Sequence, residues 1–88
     1  MKMVRVIGSV TSTIKDKTLE GFKLFLVQPV NLDLKGKNEY YIAVDTAGLG
    51  EGEVGLMVTG STAKKTEMTK NANVDGTIVA KVERIDLG

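Results

Sequence analysis

Hydrophobic residues along this chain of 88 residues recur with the two-residue period of β-strands, in short runs separated by turn-forming residues. In the first run, Val4, Val6 and Val10 have the same parity and are predicted to share one face of a strand. Five segments are predicted to be strands: 3–13, 22–29, 40–44, 54–59 and 77–85. The pattern therefore predicts an all-β fold, a small OB-like Greek-key barrel.

The second segment is almost continuously apolar, which is typical of a strand that is buried on both faces. In a chain this small one face belongs to the core, and the other face is available to a neighbouring subunit. Pro29 has no N–H group for a strand ladder, so it is predicted to end this strand or to lie at a sheet edge.

A polar stretch separates the fourth and fifth segments, between Gly60 and Val74. Ser61 can cap a single helical turn there, so one short helix is predicted before the last strand. The sequence shows no linker, repeat or low-complexity segment. We therefore expect a single domain over residues 1–88.

The composition removes several kinds of chemistry. The chain contains neither Cys nor His, which excludes disulfides, thiolate zinc sites and the usual metal ligand and general base. A domain this small buries only about 60% of its unfolded surface, and oligomerisation is then the remaining way to reinforce its core. The net charge of +1 and the short apolar runs predict neither nucleic-acid nor membrane binding, and we expect a cytoplasmic protein.

The segment 48–53 resembles a phosphate-binding turn, but it has the pattern G-x-G-x-G and is followed by a predicted strand. A phosphate loop needs the N-terminus of a helix at that place, and the two glutamates here would repel an anion. Two other interpretations stay open. The glycines either allow positive φ angles in a connection between strands or permit the close approach of another chain.

Polar residues elsewhere offer weak candidates for catalysis. The carboxylates of Asp45, Glu51 and Glu53 lack the dense spacing of a calcium loop and have no partner base. A Ser–Lys dyad of Ser61 with Lys64 or Lys65 would need a buried lysine, and both lysines lie in a polar stretch. We therefore predict no catalytic residue, no metal site and no cofactor.

A nucleic-acid-binding module is the alternative function for an OB-like barrel. Lys64, Lys65 and Lys70 form a modest basic cluster that could contact a single strand. The module also needs exposed aromatic side chains on which bases stack, whereas Phe22 and Phe25 lie in the most apolar segment and are predicted to be core.

Four stretches, in order and with their spacing, resemble the EutN/CcmL family of pentameric vertex proteins from bacterial microcompartments and carboxysomes. They are 19–29, 43–54, 60–64 and 74–82. The resemblance runs from the N-terminal strand to the last strand, essentially the whole chain. Leu49, Lys64 and Asn73 depart from the family, which usually has Ala, Arg and Pro at these places.

The resemblance implies a homo-pentamer that caps the vertices of a microcompartment shell in the cytoplasm and has no enzymatic activity. It also implies contact with hexameric shell proteins through one loop, whose residues are Gly48, Leu49, Gly50, Glu51, Gly52 and Glu53. Ser61 and Thr62 are the pore-lining candidates. The residues expected at the interface between subunits are Leu24, Phe25, Leu26 and Val27.

Overall fold

The computed structural model describes residues 1–11, 19–59 and 74–88. Their strands are β1 (Lys2–Val10), β2 (Lys23–Pro29), β3 (Tyr41–Asp45), β4 (Val54–Thr59) and β5 (Gly76–Lys81). All five coincide with predicted strands, although β1 and β5 end earlier than the sequence pattern indicates. The predicted short helix lies outside the described residues.

The five strands form a closed barrel in the order β1-β2-β3-β5-β4. Neighbouring strands are antiparallel except for β3 and β5, which are parallel. Pairing of β1 with β4 closes the barrel, so that no strand in it has an open edge. The prediction of a small all-β barrel is confirmed.

All five strands contribute to the main core inside the barrel. Met57 and Ile78 are its largest fully buried side chains. Burial of each such side chain stabilises the fold by roughly 1.5–3 kcal/mol. The buried members of this cluster are Val4, Val6, Phe25, Val27, Ala43, Leu49, Met57 and Ile78.

A second apolar cluster lies on the opposite face of β2 and β3. Leu24 and Val44 alternate with residues of the main core along their strands, and they pack with Leu19, which precedes β2. Val10, Phe22 and Val74 cover this cluster in part. The continuous apolar character of β2 is thus explained largely within the subunit, because both of its faces are covered.

A β-bulge in β1 changes which face its side chains occupy. The pairing of β1 with β2 shifts register between Val6 and Gly8, and beyond this point Val10 is paired with Leu24. The extra residue reverses the alternation. Val4 and Val6 therefore point into the main core, while Val10 packs on the second cluster. The prediction of one shared face for these three valines was wrong.

Pro29 ends β2, as the sequence predicts. The chain then makes an excursion over residues 31–40, all of which are exposed. The bridge between Val30 and Gly36 closes its base, and Gln28 Nε2 donates a hydrogen bond to the carbonyl oxygen of Lys37. The excursion is therefore tied to the end of β2 before the chain enters β3.

Candidate assembly surface

A glycine loop, residues 46–53, connects β3 to β4, and its first half is organised by Asp45. The Asp45 side chain is buried, and its carboxylate accepts backbone N–H groups from Ala47 at 2.9 Å, Gly48 at 3.1 Å and Leu49 at 2.9 Å. A carboxylate with several N–H donors satisfies in one place the backbone groups that a tight loop would otherwise leave unpaired. Asp45 is therefore a structural residue of the loop.

Leu49 anchors the middle of the glycine loop to the barrel. Its side chain is 3% exposed and belongs to the main core. Gly55 of β4 makes room for it, because a Cβ atom at Gly55 would be 3.0 Å from Leu49 Cδ1. The Leu49 side chain thus points into its own subunit.

The second half of the glycine loop extends the ladder of β1. The N–H group of Gly52 donates to the Val6 carbonyl oxygen at 2.8 Å, and the Val6 N–H group donates to the Glu53 carbonyl oxygen at 2.9 Å. These two bonds hold the loop against the barrel before β4 begins.

The side chain of Glu53 joins the loop to β5. Its Oε1 accepts the N–H group of Gly50 at 2.8 Å, and its Oε2 lies 2.6 Å from Nζ of Lys81. Hydrogen bonding to Lys81 and then to Gly50 lowers the pKa of Glu53 below its ordinary value, and the carboxylate in turn raises the pKa of Lys81. Both groups therefore remain charged at neutral pH.

The outward surface of the glycine loop is mostly backbone. Gly48, Glu51 and Gly52 are exposed and Gly50 is half-buried. Gly48 and Gly52 have φ angles of 82° and 85°, a left-handed conformation that side chains disfavour. The first interpretation of the glycines, positive φ in a connection between strands, is confirmed for these two positions.

Gly50 is different, because no described residue requires a glycine there. Its φ angle is not positive, and among the described residues a Cβ atom would meet only Glu53 Oε1, at an ordinary contact distance of 3.6 Å. The described fold does not require the lack of a side chain at Gly50. This lack is consistent with the close approach of a second molecule.

The predicted carboxylate candidates are thus engaged in structure. Asp45 accepts backbone N–H groups and Glu53 is paired with Lys81, while Glu51 is exposed. Among the residues that the structure describes, no group of three or more acidic side chains is placed to hold a metal ion. The other polar candidates lie in the undescribed segment 60–73: Ser61, Thr62, Lys64, Lys65 and Lys70.

The four interface candidates in β2 divide into two groups. Phe25 and Val27 are in the main core, and Leu24 is buried in the second cluster. Leu26 is half-buried, and its partner in register is Ile42, which is half-buried too. Leu26 therefore retains apolar surface for a neighbouring molecule, whereas the other three side chains are covered within the subunit.

Sequence reasoning did not identify the roles of Asp45 and Lys81. An Asp that precedes a glycine-containing turn is a known signal for side-chain bonds to the following N–H groups, so Asp45 was recognisable. The contact between Lys81 and Glu53 depends on the pairing of β4 with β5, which are distant in sequence, and no local pattern encodes it.

Within the described part of the chain, the structure contains no helix that is long and apolar enough to cross a membrane.

Comparison with known sequences gives one family. The family model described as ethanolamine utilisation protein EutN/carboxysome matches residues 1–83. The carboxysome shell vertex protein CcmL of Thermosynechococcus vestitus is 35% identical over 85 residues, which cover 97% of this chain and 86% of that protein. The similarity therefore extends over the barrel and the glycine loop together.

Solved structures give the same result at the level of the fold. The GrpN pentameric microcompartment shell protein from Rhodospirillum rubrum matches with a TM-score of 0.84 and 31% identity, over 100% of both chains. The ethanolamine utilization protein EutN from Escherichia coli matches with a TM-score of 0.84 and 27% identity, over 100% of this chain and 90% of the other.

Proposed function

The chain belongs to the EutN/CcmL family, and we propose that it closes the vertices of a microcompartment shell. It is a structural shell protein rather than an enzyme, and it assembles as a homo-pentamer within that shell. The observation that carries this function is the match over the full length of both chains to a pentameric shell protein. The alternative function, binding of single-stranded nucleic acid, has no support among the relatives.

The fivefold symmetry of a pentamer is sufficient to explain how it closes a shell. A flat sheet of hexagonal tiles cannot close into a shell, and a pentamer at each corner introduces the missing curvature. A closed ring needs a heterologous interface, in which one surface of a subunit meets a different surface of the next. The barrel thus needs two distinct contact surfaces for its ring and a third for the surrounding shell.

For the ring, we propose that Leu26 and its register partner Ile42 form part of one contact surface. Both are half-buried in the isolated subunit. They lie directly opposite each other on antiparallel strands, so their side chains share one face of the sheet. Burial of this remaining apolar area against the next subunit would strengthen a domain whose own core is small.

For the shell, we propose that the glycine loop contacts hexameric shell proteins. Gly50 supports this, because its φ angle is not positive and no residue of the described ranges crowds the position. The exposed Glu51 adds a negative charge that can pair with a basic group of the neighbour. Ser61 and Thr62 remain the proposed pore-lining residues.

Light scattering and native mass spectrometry of the purified chain test the pentamer. The expected mass is about five times the 9.4 kDa of one chain. A stable monomer at tens of micromolar would contradict the proposed function. Coexpression with hexameric shell proteins encoded near its gene then tests the shell contact: closed particles should contain the pentamer, and shells from which it is absent would contradict that contact.

A further inference from the structure

Glu53 connects three parts of the molecule at the end of the glycine loop. Its carbonyl oxygen accepts the N–H group of Val6 in β1 at 2.9 Å. Its Oε1 accepts the N–H group of Gly50 at 2.8 Å, and its Oε2 lies 2.6 Å from Nζ of Lys81 in β5. One residue thus links the loop to strands on both sides of β4.

Other contacts hold the start and the end of the glycine loop, and Glu53 holds its centre. Asp45 holds the N–H groups at the start of the loop, and the Leu49 side chain is inserted into the core. Gly52 is bonded to β1. Between Leu49 and Gly52, the N–H group of Gly50 is held by its bond to the Glu53 carboxylate. The carbonyl oxygen of Gly50, in the following peptide group, accepts the N–H group of Glu53 at 3.1 Å.

We propose that Glu53 is a positioning residue for docking of the shell partner: its Oε1 fixes the Gly50 peptide group in the orientation that the partner meets. This inference rests on the proposed contact between the glycine loop and hexameric shell proteins. Lys81 of the same subunit already pairs with the Glu53 charge. Glu53 therefore acts on its own loop, and the exposed Glu51 is the glutamate that is available to a basic group of the partner.

Two double variants separate positioning from charge. In Glu53→Gln with Lys81→Met, the glutamine amide oxygen still accepts the Gly50 N–H group, and neither charge is present. In Glu53→Lys with Lys81→Glu, the ion pair is reversed and the net charge is unchanged, but a lysine at position 53 cannot accept a hydrogen bond. The first variant keeps the bond to Gly50, and the second keeps the ion pair.

Incorporation into shells is the decisive measurement. Each variant is coexpressed with the hexameric shell proteins, and its content in purified particles is compared with that of the wild type after native mass spectrometry has confirmed the pentamer. The Gln–Met variant should be incorporated like the wild type. The Lys–Glu variant should be incorporated at least about fivefold less, because loss of one hydrogen bond has about this effect at each of the five loops of a pentamer. If the Lys–Glu pentamer does not form, Glu53→Ala with Lys81→Met removes the acceptor in its place.

The opposite pattern would overturn the inference. If the Gln–Met variant were absent from the particles and the Lys–Glu variant were incorporated normally, docking would depend on the ion pair and not on the bond to Gly50. Equal loss of both variants would indicate that the partner recognises the Glu53 charge itself. If the wild-type pentamer is not incorporated, both the proposed shell contact and the role of Glu53 are contradicted. If the wild type and the Lys–Glu variant are both incorporated normally, the shell contact stands and only the role of Glu53 is contradicted.

Amide hydrogen exchange of the free pentamer gives a readout that needs no shell. The Gly50 N–H group should exchange about fivefold faster in the Lys–Glu variant than in the wild type, and at the wild-type rate in the Gln–Met variant. Unchanged exchange at Gly50 in the Lys–Glu variant would show that Glu53 does not hold this group.

Discussion

Gly55 of β4 lies so close to β5 that a Cβ atom there would be 2.8 Å from the carbonyl oxygen of Ala80. The same atom would be 2.9 Å from Ile78 Cγ2 and 3.0 Å from Leu49 Cδ1. A side chain at position 55 would therefore push apart two paired strands and displace the residue that anchors the glycine loop.

Replacement of Gly55 by Ala should lower the free energy of unfolding by about 1–3 kcal/mol, the usual range for overpacking of a well-filled core. Urea denaturation at a fixed protein concentration measures this change. Gly50→Ala is the matched control, because in the described part of the chain a Cβ atom there meets only Glu53 Oε1, at 3.6 Å. Equal stability of the two variants would contradict the close approach of β4 and β5 at Gly55.

Leu49→Ala should be far more destabilising than a change in an exposed loop usually is. The Leu49 side chain is 3% exposed and lies in the main core, so its truncation should cost about 2–5 kcal/mol. Leu32→Ala is the control, since Leu32 is 66% exposed and its truncation should change stability by less than about 0.5 kcal/mol. A small effect at Leu49 would place its side chain outside the core.

Replacement of Gly48 by Ala should act through the backbone alone. Gly48 has a φ angle of 82°, yet none of the residues that the structure describes lies within 4 Å of the position its Cβ atom would take. We therefore expect the free energy of unfolding to fall by about 1–2 kcal/mol, the cost of placing an alanine in the left-handed conformation. Thermal unfolding of Gly48→Ala beside Gly50→Ala measures the difference within one loop. Identical unfolding temperatures would indicate that the loop does not hold Gly48 in this conformation.

Local patterns predicted the strands well but did not predict how the strands meet. The apolar run of β4, the alternation around Ile78 and the missing N–H group of Pro29 are properties of short segments, so β2, β4 and β5 were recognisable in the sequence. The bulge beside Gly8 was not, because an inserted residue reverses the alternation without requiring a particular residue type.

The candidate site was also predicted only in part. The glycine loop was recognised from its composition, but which of its side chains point outwards was not. The Leu49 side chain is buried because it enters a core to which all five strands contribute, and Glu53 meets Lys81 because β4 pairs with β5. Asp45 was considered as a catalytic or metal-binding carboxylate, and it is instead bonded to the backbone of its own loop.

The ion pair between Glu53 and Lys81 should give a pH-dependent contribution to stability. Lys81 lowers the pKa of Glu53 below its ordinary value of 4.5, so the contribution is present above pH 4.5 and disappears as the pH falls through the lowered value. The pKa of Lys81 is raised above 10.5, so the contribution is fully present below pH 10.5 and is lost as the pH rises through the raised value.

Urea denaturation of the wild type and of Lys81→Met across this pH range measures that contribution. Their difference in midpoint should be constant near neutral pH, decline below pH 4.5 and shrink with added salt, because partly exposed charges are screened. Arg84→Met is the control, as its partner Asp86 is far more exposed. A difference that persists unchanged in acid would exclude the ion pair as its cause.

Leu26 and Leu24 should respond in opposite ways, although both lie on the same face of β2. Leu26 is half-buried, so Leu26→Glu should place a charge in the proposed ring contact and shift the pentamer towards smaller species, while the barrel stays folded. Leu24 is covered by Leu19 and Val44, so Leu24→Ala should lower barrel stability by about 2–5 kcal/mol and leave the fivefold ring intact.

Light scattering over a concentration series, with circular dichroism for the fold, separates the two effects. Leu26→Glu should need a higher concentration than the wild type to form pentamers, because an unpaired charge within an interface opposes association. The spectrum of its smaller species should still be that of a β-barrel. A Leu26→Glu pentamer as stable to dilution as the wild type would exclude Leu26 from the ring contact, and the second surface of the subunit would then have to be sought away from the β2–β3 face.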